Sequence, residues 1–184
     1  SMRLYGFNAC FKYSEDPRVQ FHNTKLNEYD EHTLIETPVG KQEAVRRRSP
    51  NNCGTIHVKR EVTTEQELKV ATWRDENSTW EWDQETFDRM LAELGDLGAP
   101  MMYMPRTNVQ SLYIDKMGTQ NGIYAIYDWT DTVEAYFRAL EELHDQMIDV
   151  INASPIEMVT YGDNVHASTL PPDLFLKYYL PACQ

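Results

Sequence analysis

The sequence lacks a membrane-spanning run, a signal peptide and a cysteine framework. No apolar stretch approaches the roughly 20 residues that cross a bilayer, and residues 1–30 lack the apolar centre of a signal peptide. The three cysteines, Cys10, Cys53 and Cys183, are far apart and include no Cys-x-x-Cys pair. This spacing indicates neither disulfides nor a closed zinc site. We therefore expect a cytoplasmic protein with reduced, buried thiols and no metal in this chain.

Positive charge is also scarce. The 17 Lys and Arg residues face 29 Asp and Glu residues, which gives a net charge of -12. Such a chain repels a phosphate backbone, so we expect no nucleic-acid partner and no membrane partner. The short run Arg46–Arg48 either binds a carboxylate or phosphate group or, as is usual, is solvated and pairs with local acids.

What the sequence does contain is enough apolar material for one core. The 184 residues are 41% hydrophobic and 11% aromatic, which suits a single globular domain over residues 1–184. Within residues 1–62, the segments Thr33–Thr37 and Glu43–Arg46 flank a Pro-Val-Gly turn and predict a β-hairpin. Apolar and polar residues alternate over Ile56–Lys59, which predicts a further strand with one covered face.

Residues 63–184 alternate between helical and strand patterns. Capping residues and apolar spacing of three and four predict helices after Thr64, after Asp83, over Val109–Met117, after Asp131 and after Pro171. Short apolar runs predict strands over Ala99–Met104 and Ile156–Tyr161. This alternation is typical of a parallel sheet with helical crossovers.

Several short motifs occur in a distinctive order. They are Thr37–Gly40, Val58–Arg60, Glu65–Leu68, Leu94–Asp96, the long helix after Asp131, Tyr161–Asn164, Leu170–Phe175 and Tyr179–Pro181. Over residues 30–184 this ordered set resembles the uroporphyrinogen decarboxylase superfamily. That superfamily includes the decarboxylase of haem synthesis, methyltransferases that move methyl groups between corrinoids and thiols, and the cobalamin-independent methionine synthases.

The resemblance implies a TIM barrel with its reactive groups at the C-terminal ends of the strands. A complete barrel needs about 250 residues, whereas this sequence has 184. The expected fold is therefore α/β, a partial TIM (β/α)8 barrel of uroporphyrinogen decarboxylase type with an N-terminal β-hairpin. Its open sheet would expose Met102, Met104, Met158 and Thr160, so we expect a homodimer that covers the exposed face.

The resemblance also suggests site residues. Asp163 would project from the end of a barrel strand into the mouth and act in catalysis; the alternative is a turn aspartate that caps local backbone donors. His166 is a second catalytic candidate, as a base without an identified partner. Arg106 is a candidate anion clamp, and Tyr103 and Asn164 are further candidates for substrate binding. Many relatives carry a second acidic residue at the position of Asn164.

Missing motifs bear on the reaction. The early arginine-rich, glycine-containing motif of the haem-pathway decarboxylase is absent, and Pro100–Tyr103 differs from its proline-phenylalanine-threonine stretch. The resemblance therefore favours an enzyme that moves a methyl group between a corrinoid or small methyl donor and a thiol. The complete enzyme would use zinc and a corrinoid, with a small-molecule substrate and a corrinoid protein as partners. A uroporphyrinogen decarboxylase and a non-catalytic half-barrel that works only by association stay open as alternatives.

Overall fold

The computed structural model describes residues 4–7, 10–51 and 54–184, which form nine strands and six α-helices. The strands are β1 Leu4–Phe7, β2 Phe11–Glu15, β3 Gln20–Lys25, β4 Asp30–Thr37, β5 Gly40–Arg48, β6 Thr55–Lys59, β7 Ser78–Trp82, β8 Gly98–Met104 and β9 Val159–Tyr161. The α-helices are α1 Glu65–Glu76, α2 Gln84–Leu94, α3 Asn108–Gln110, α4 Thr119–Asp128, α5 Thr130–Asn152 and α6 Pro172–Leu174. Helix α3 continues as a π-helical segment, Ser111–Lys116, and α6 as a second one, Phe175–Tyr179.

The described strands form three sheets. Strands β1, β8 and β9 make a parallel sheet with β8 in the centre, β2 pairs with β7, and β3 to β6 form a four-stranded antiparallel sheet that we call the meander. The predicted α/β class is thus confirmed, and a parallel sheet accompanies the helices as expected. None of these described sheets closes into a barrel.

The meander contains the predicted hairpin. Strands β4 and β5 pair through Thr37 and Gly40, but they are the central pair of four strands rather than a lone hairpin. Gly40 has a positive φ of 151°, and an added Cβ would lie 2.8 Å from Val70 Cγ2 in α1, so this turn needs glycine to lie against the helix. The predicted covered face of β6 is wrong. Ile56 and Val58 are 61% and 51% exposed, and neither belongs to an apolar cluster of the described residues.

Two of the predicted helix starts are confirmed by capping bonds. Thr64 and Glu67 form both bonds of a capping box at the start of α1, and Asp83 accepts a bond from the Thr86 backbone N–H at the start of α2. The prediction that α5 opens at Asp131 is wrong, since its N-cap is Trp129, whose side chain makes no capping bond. Helix α4 was not predicted.

Two apolar clusters form the core of the described residues. The larger lies among the helices and includes Val62, Leu68, Ala71, Val109, Leu112, Tyr113, Met117, Ala125, Ile126, Val133, Tyr136, Phe137, Leu140, Leu170, Leu174 and Tyr178. The smaller joins β2, α2, β8 and α5. Met102 and Met104 belong to it and are buried, so the expectation that the open sheet exposes them is wrong. No helix in the described ranges is long and apolar enough to cross a membrane.

A buried group of charged residues lies where the meander meets the helices. We call it the Arg74 network, and it consists of Glu15, Glu61, Arg74, Asp75 and Lys116. Arg74 donates to both oxygens of Glu15 at 2.8 and 2.9 Å and lies 3.5 Å from Glu61, which accepts a 2.8 Å bond from Lys116. Asp75 Oδ2 is buried and has no hydrogen-bond partner among the described residues. The network therefore holds two cations and three carboxylates.

Candidate functional site

The candidate site lies where two parallel strands end. The register pairs Met104 with Tyr161, so the carboxyl ends of β8 and β9 meet at one edge of the sheet. Residues 105–107 leave this edge after β8, and residues 162–164 leave it after β9. The fold therefore brings Arg106, Asp163 and Asn164 to the same edge, although nothing in this placement tests their roles.

Asp163 is held firmly by one of its two oxygens. Its Oδ2 accepts bonds from the Thr107 hydroxyl at 2.5 Å and the Thr107 backbone N–H at 3.3 Å. Its Oδ1 is buried and has no hydrogen-bond partner among the described residues. Local capping thus accounts for one oxygen of the carboxylate, and a buried acceptor without a hydrogen bond, as Oδ1 is among the described residues, is costly.

Two further buried atoms near this edge lack partners in the described part of the chain. Gln110 accepts a 3.3 Å bond from the Asn164 backbone N–H through Oε1, whereas its Nε2 is unpaired. Arg106 Nε is also unpaired, while Arg106 Nη1 lies 3.8 Å from Asp115 Oδ1. Gln110 was missed from the sequence, because a glutamine beside Val109 in a helical pattern carries no signal of a special environment.

Tyr103 and His166 occupy different surroundings. Tyr103 is 57% exposed, and its ring lies close over Gly162, where an added Cβ would come within 3.1 Å of Cε1. His166 is exposed, and its Nδ1 lies 2.8 Å from the Ser168 hydroxyl, a contact within its own loop. The structure therefore ties Tyr103 to the loop of Asp163, and it gives His166 only a local partner.

The charge of Asp163 affects the pKa of residues from distant parts of the chain. Burial, followed by the Asp163 carboxylate, raises the pKa of Tyr179. Burial lowers the pKa of His144 on α5, while the carboxylates of Asp145 and Asp163 oppose that effect. No local pattern in the sequence connects His144 with Asp163, because the two are 19 positions apart.

The cysteines differ from the expectation in part. Cys10 is buried, with its Sγ 3.4 Å from Met90 Sδ, whereas Cys183 is exposed near Tyr179 and Asp163. Partial burial of its sulfur raises the pKa of Cys183, and a hydrogen bond with Tyr179 opposes the rise. Cys53 lies outside the described residues. The prediction of buried thiols is therefore confirmed for Cys10 and wrong for Cys183.

Within the described ranges, no three or more His, Cys, Asp and Glu side chains are grouped so that they could hold a metal ion. The absence of a metal from this chain stays a prediction. No protein-family model, curated protein or solved structure matches the chain. The relation to the uroporphyrinogen decarboxylase superfamily accordingly stays a prediction made from the order of short motifs.

Proposed function

We propose that the chain belongs to an enzyme of the uroporphyrinogen decarboxylase type and supplies one side of the mouth of a partial TIM barrel. Asp163 Oδ1 carries this proposal, because it is a buried acceptor without a partner among the described residues, at the carboxyl edge of a parallel sheet. This is the edge at which α/β proteins bind their ligands. Asp163 would accept a hydrogen bond from a polar substrate and orient it.

The methyltransferase-type reaction is the form that we propose. Two unpaired donors, Arg106 Nε and Gln110 Nε2, accompany the unpaired acceptor of Asp163 in the described chain. They suit a ligand that has both hydrogen-bond donors and acceptors. The amide side chains of a corrinoid have both, and the corrinoid itself would supply the methyl group. The described residues do not suit zinc, since they offer no group of three ligands. We therefore assign no step of the reaction to a metal held by this chain.

Association is part of the same proposal. Tyr103 on β8 is 57% exposed, although it lies on a parallel sheet, a type that proteins usually cover on both faces. We propose that a second copy covers the face of the sheet that carries Tyr103. Light scattering at micromolar concentration should give twice the chain mass of 21.5 kDa, and Tyr103→Lys should return the mass to that of a monomer. A wild-type monomer would contradict the proposal.

Equilibrium dialysis tests the site itself, with methylcobalamin as the probe. The wild-type chain should retain it, and Asp163→Asn should bind it about ten-fold more weakly, because one hydrogen bond to a charged acceptor is worth about 1.5–3 kcal/mol. Asp96→Asn is the matched control, because Asp96 is exposed and lies in the short helix after α2.

Three results would change the assignment. If the wild-type chain does not retain methylcobalamin, the methyltransferase-type proposal is wrong. If it retains uroporphyrin instead, the decarboxylase alternative is favoured. If Asp163→Asn lowers the free energy of unfolding by several kcal/mol but leaves binding unchanged, Asp163 is a turn residue.

A further inference from the structure

The inner face of the meander extends beyond the helix that covers it. Ile35 and Gln42 face each other across β4 and β5 and are buried, and Gln42 Nε2 donates to the Glu67 carbonyl in α1 at 3.0 Å. Four residues further along β5, the same face carries a row of charged and titratable residues from all four strands: Lys25, Glu31, Arg46 and His57. This row lines an open cavity of about 540 Å³.

The arginine run divides between two surroundings because side chains alternate along a strand. Arg47 donates to both oxygens of Asp30, at 2.6 and 2.8 Å. Arg46 and Arg48 line the cavity together with Lys25. Among the described residues, the side chains of these three cations make no hydrogen bond and no ion pair. Three permanent positive charges are therefore available to a ligand.

Carboxylates in the cavity offset this charge only in part. Glu28, Asp30 and Glu31 also line it, and Glu31 lies opposite both Lys25 and Arg46 in the sheet register. Asp30 is paired with Arg47, whereas neither Glu28 nor Glu31 is within ion-pair distance of a cation in the described residues. With Arg47 included, four cations face three carboxylates, which is a small positive excess in a chain whose net charge is -12.

His57 reports the local potential. Burial lowers its pKa, and the guanidinium groups of Arg60 and Arg46 lower it further, while the smaller effects of Glu61 and Asp115 act in the opposite direction. Arg46, which lines the cavity, therefore acts directly on His57. An exposed anion placed here would relieve the repulsion among the cations.

We propose that this cavity binds a small organic or inorganic polyanion, which carries at least two carboxylate or phosphate groups and is held by Arg46, Arg48 and Lys25. Residues two apart on a strand have their side chains about 7 Å from each other, so the two guanidinium groups can each grip a separate anionic group. A guanidinium binds a carboxylate or phosphate through two parallel bonds. A single charge would leave one arginine unpaired and would also meet Glu28 and Glu31.

The test uses calorimetric titration of the full chain with pyrophosphate and with citrate at constant ionic strength, with acetate as the monovalent comparison. The expected result is measurable binding of at least one polyanion and none of acetate. The double variant Arg46→Gln/Arg48→Gln should weaken binding about ten-fold or more, because it removes two forked contacts. Arg138→Gln, on the exposed surface of α5, is a single-site control for a general loss of charge and should bind as the wild type does.

A second measurement locates the ligand. The ring protons of His57 should shift in the NMR spectrum during the titration, whereas those of His166 should not. Binding of pyrophosphate alone assigns phosphate as the recognised group, and binding of citrate alone assigns carboxylate. The proposal is overturned if neither polyanion binds, if acetate binds equally well, if Arg138→Gln weakens binding as much as the double variant, or if His57 does not respond.

Discussion

The meander and the helical part of the chain are stabilised in different ways. All six residues of β3 are exposed, and β6 has only one residue that is not. By contrast, the larger apolar cluster, which begins at Val62, lies almost wholly among the helices. The meander instead has cross-strand ion pairs on its surface, such as Lys59 with Glu43 at 3.0 Å and Lys41 with Glu36. Because such exposed pairs contribute about 0–1 kcal/mol each, we infer that the meander depends on its attachment to α1.

The Arg74 network is the main polar link between these two regions. Besides its carboxylate partners, Arg74 donates to Gln42 of β5 at 2.8 Å. Arg74 and Gln42 are 7% and 1% exposed, so this hydrogen bond is shielded from solvent. Buried charges that lose a partner are far more costly than exposed ones, and this difference gives the comparison its sharpest test.

Arg74→Ala should have the largest effect. It leaves Glu15 and Gln42 without the guanidinium that binds them and removes the longer of the two cation contacts of Glu61, which should lower the free energy of unfolding by about 3–5 kcal/mol. Urea unfolding followed by circular dichroism measures the change. The control is Arg18→Ala, which breaks an exposed 2.8 Å pair with Asp16 and should cost less than about 1 kcal/mol. Equal losses in the two variants would mean that the network does not join the two regions.

Truncation of an apolar side chain should also lower the free energy of unfolding by very different amounts in the two regions. Leu112 is fully buried in the larger cluster, and Leu112→Ala should lower the free energy of unfolding by about 2–5 kcal/mol. Ile56 on β6 is 61% exposed, so Ile56→Ala should change it by about 0.5 kcal/mol or less. The same urea titration compares them. A large loss for Ile56→Ala would show that something in solution covers the edge of the meander.

A smaller effect of opposite sign should come from Asp75. Burial raises its pKa, and it is the carboxylate in excess over the two cations of the network. Burial also disfavours the charge of Glu61, but Lys116 and Arg74 outweigh it and hold the pKa of Glu61 at about 2, below its ordinary 4.5. Asp75→Asn should therefore raise the free energy of unfolding at pH 7, whereas Glu61→Gln should lower it.

The two carboxylates also predict opposite pH dependences. Because its folded pKa is depressed, Glu61 stabilises the fold above about pH 4.5 and loses this contribution as the pH falls toward 2. Because its folded pKa is raised, Asp75 contributes stability below its ordinary pKa of 3.8 and loses it as the pH rises. Urea titrations at pH 3, 5 and 7 check this. An Asp75→Asn variant that is less stable than the wild type at pH 7 would show that this carboxylate is needed.

Local signals predicted much of the fold, and long-range contacts did not. The capping box at Thr64 and the hairpin at Gly40 depend on residues within a few positions, so the sequence shows them directly. Strand β3 was missed because Phe21 is the only apolar residue in Gln20–Lys25, so no alternation of apolar and polar residues marks it. Helix α4 was missed because its exposed residues Tyr124 and Tyr127 are aromatic. The sequence therefore shows a continuous apolar run instead of one apolar helix face.

For the candidate site, the sequence likewise predicted the position of a residue but not its partner in the fold. Strand patterns placed Asp163 at the end of β9, and the structure has it there. Its bond to Thr107 spans 56 residues, and the Arg74 to Glu15 pair spans 59. Neither partner has a local pattern that identifies it, since a threonine after a strand and an arginine in a helix are both ordinary.

The π-helical segment Ser111–Lys116 carries a consequence for evolution. Its wide turn closes through a 2.9 Å bond from Met117 N to the Leu112 carbonyl, which accommodates one residue more than an α-helical turn. One residue added to a regular α-helix would rotate everything beyond it by about 100°, whereas the wide turn absorbs that residue and Lys116 stays at Glu61. The gain of one residue in this segment is therefore compatible with the network, whereas substitution of its buried residues, such as Leu112, is costly.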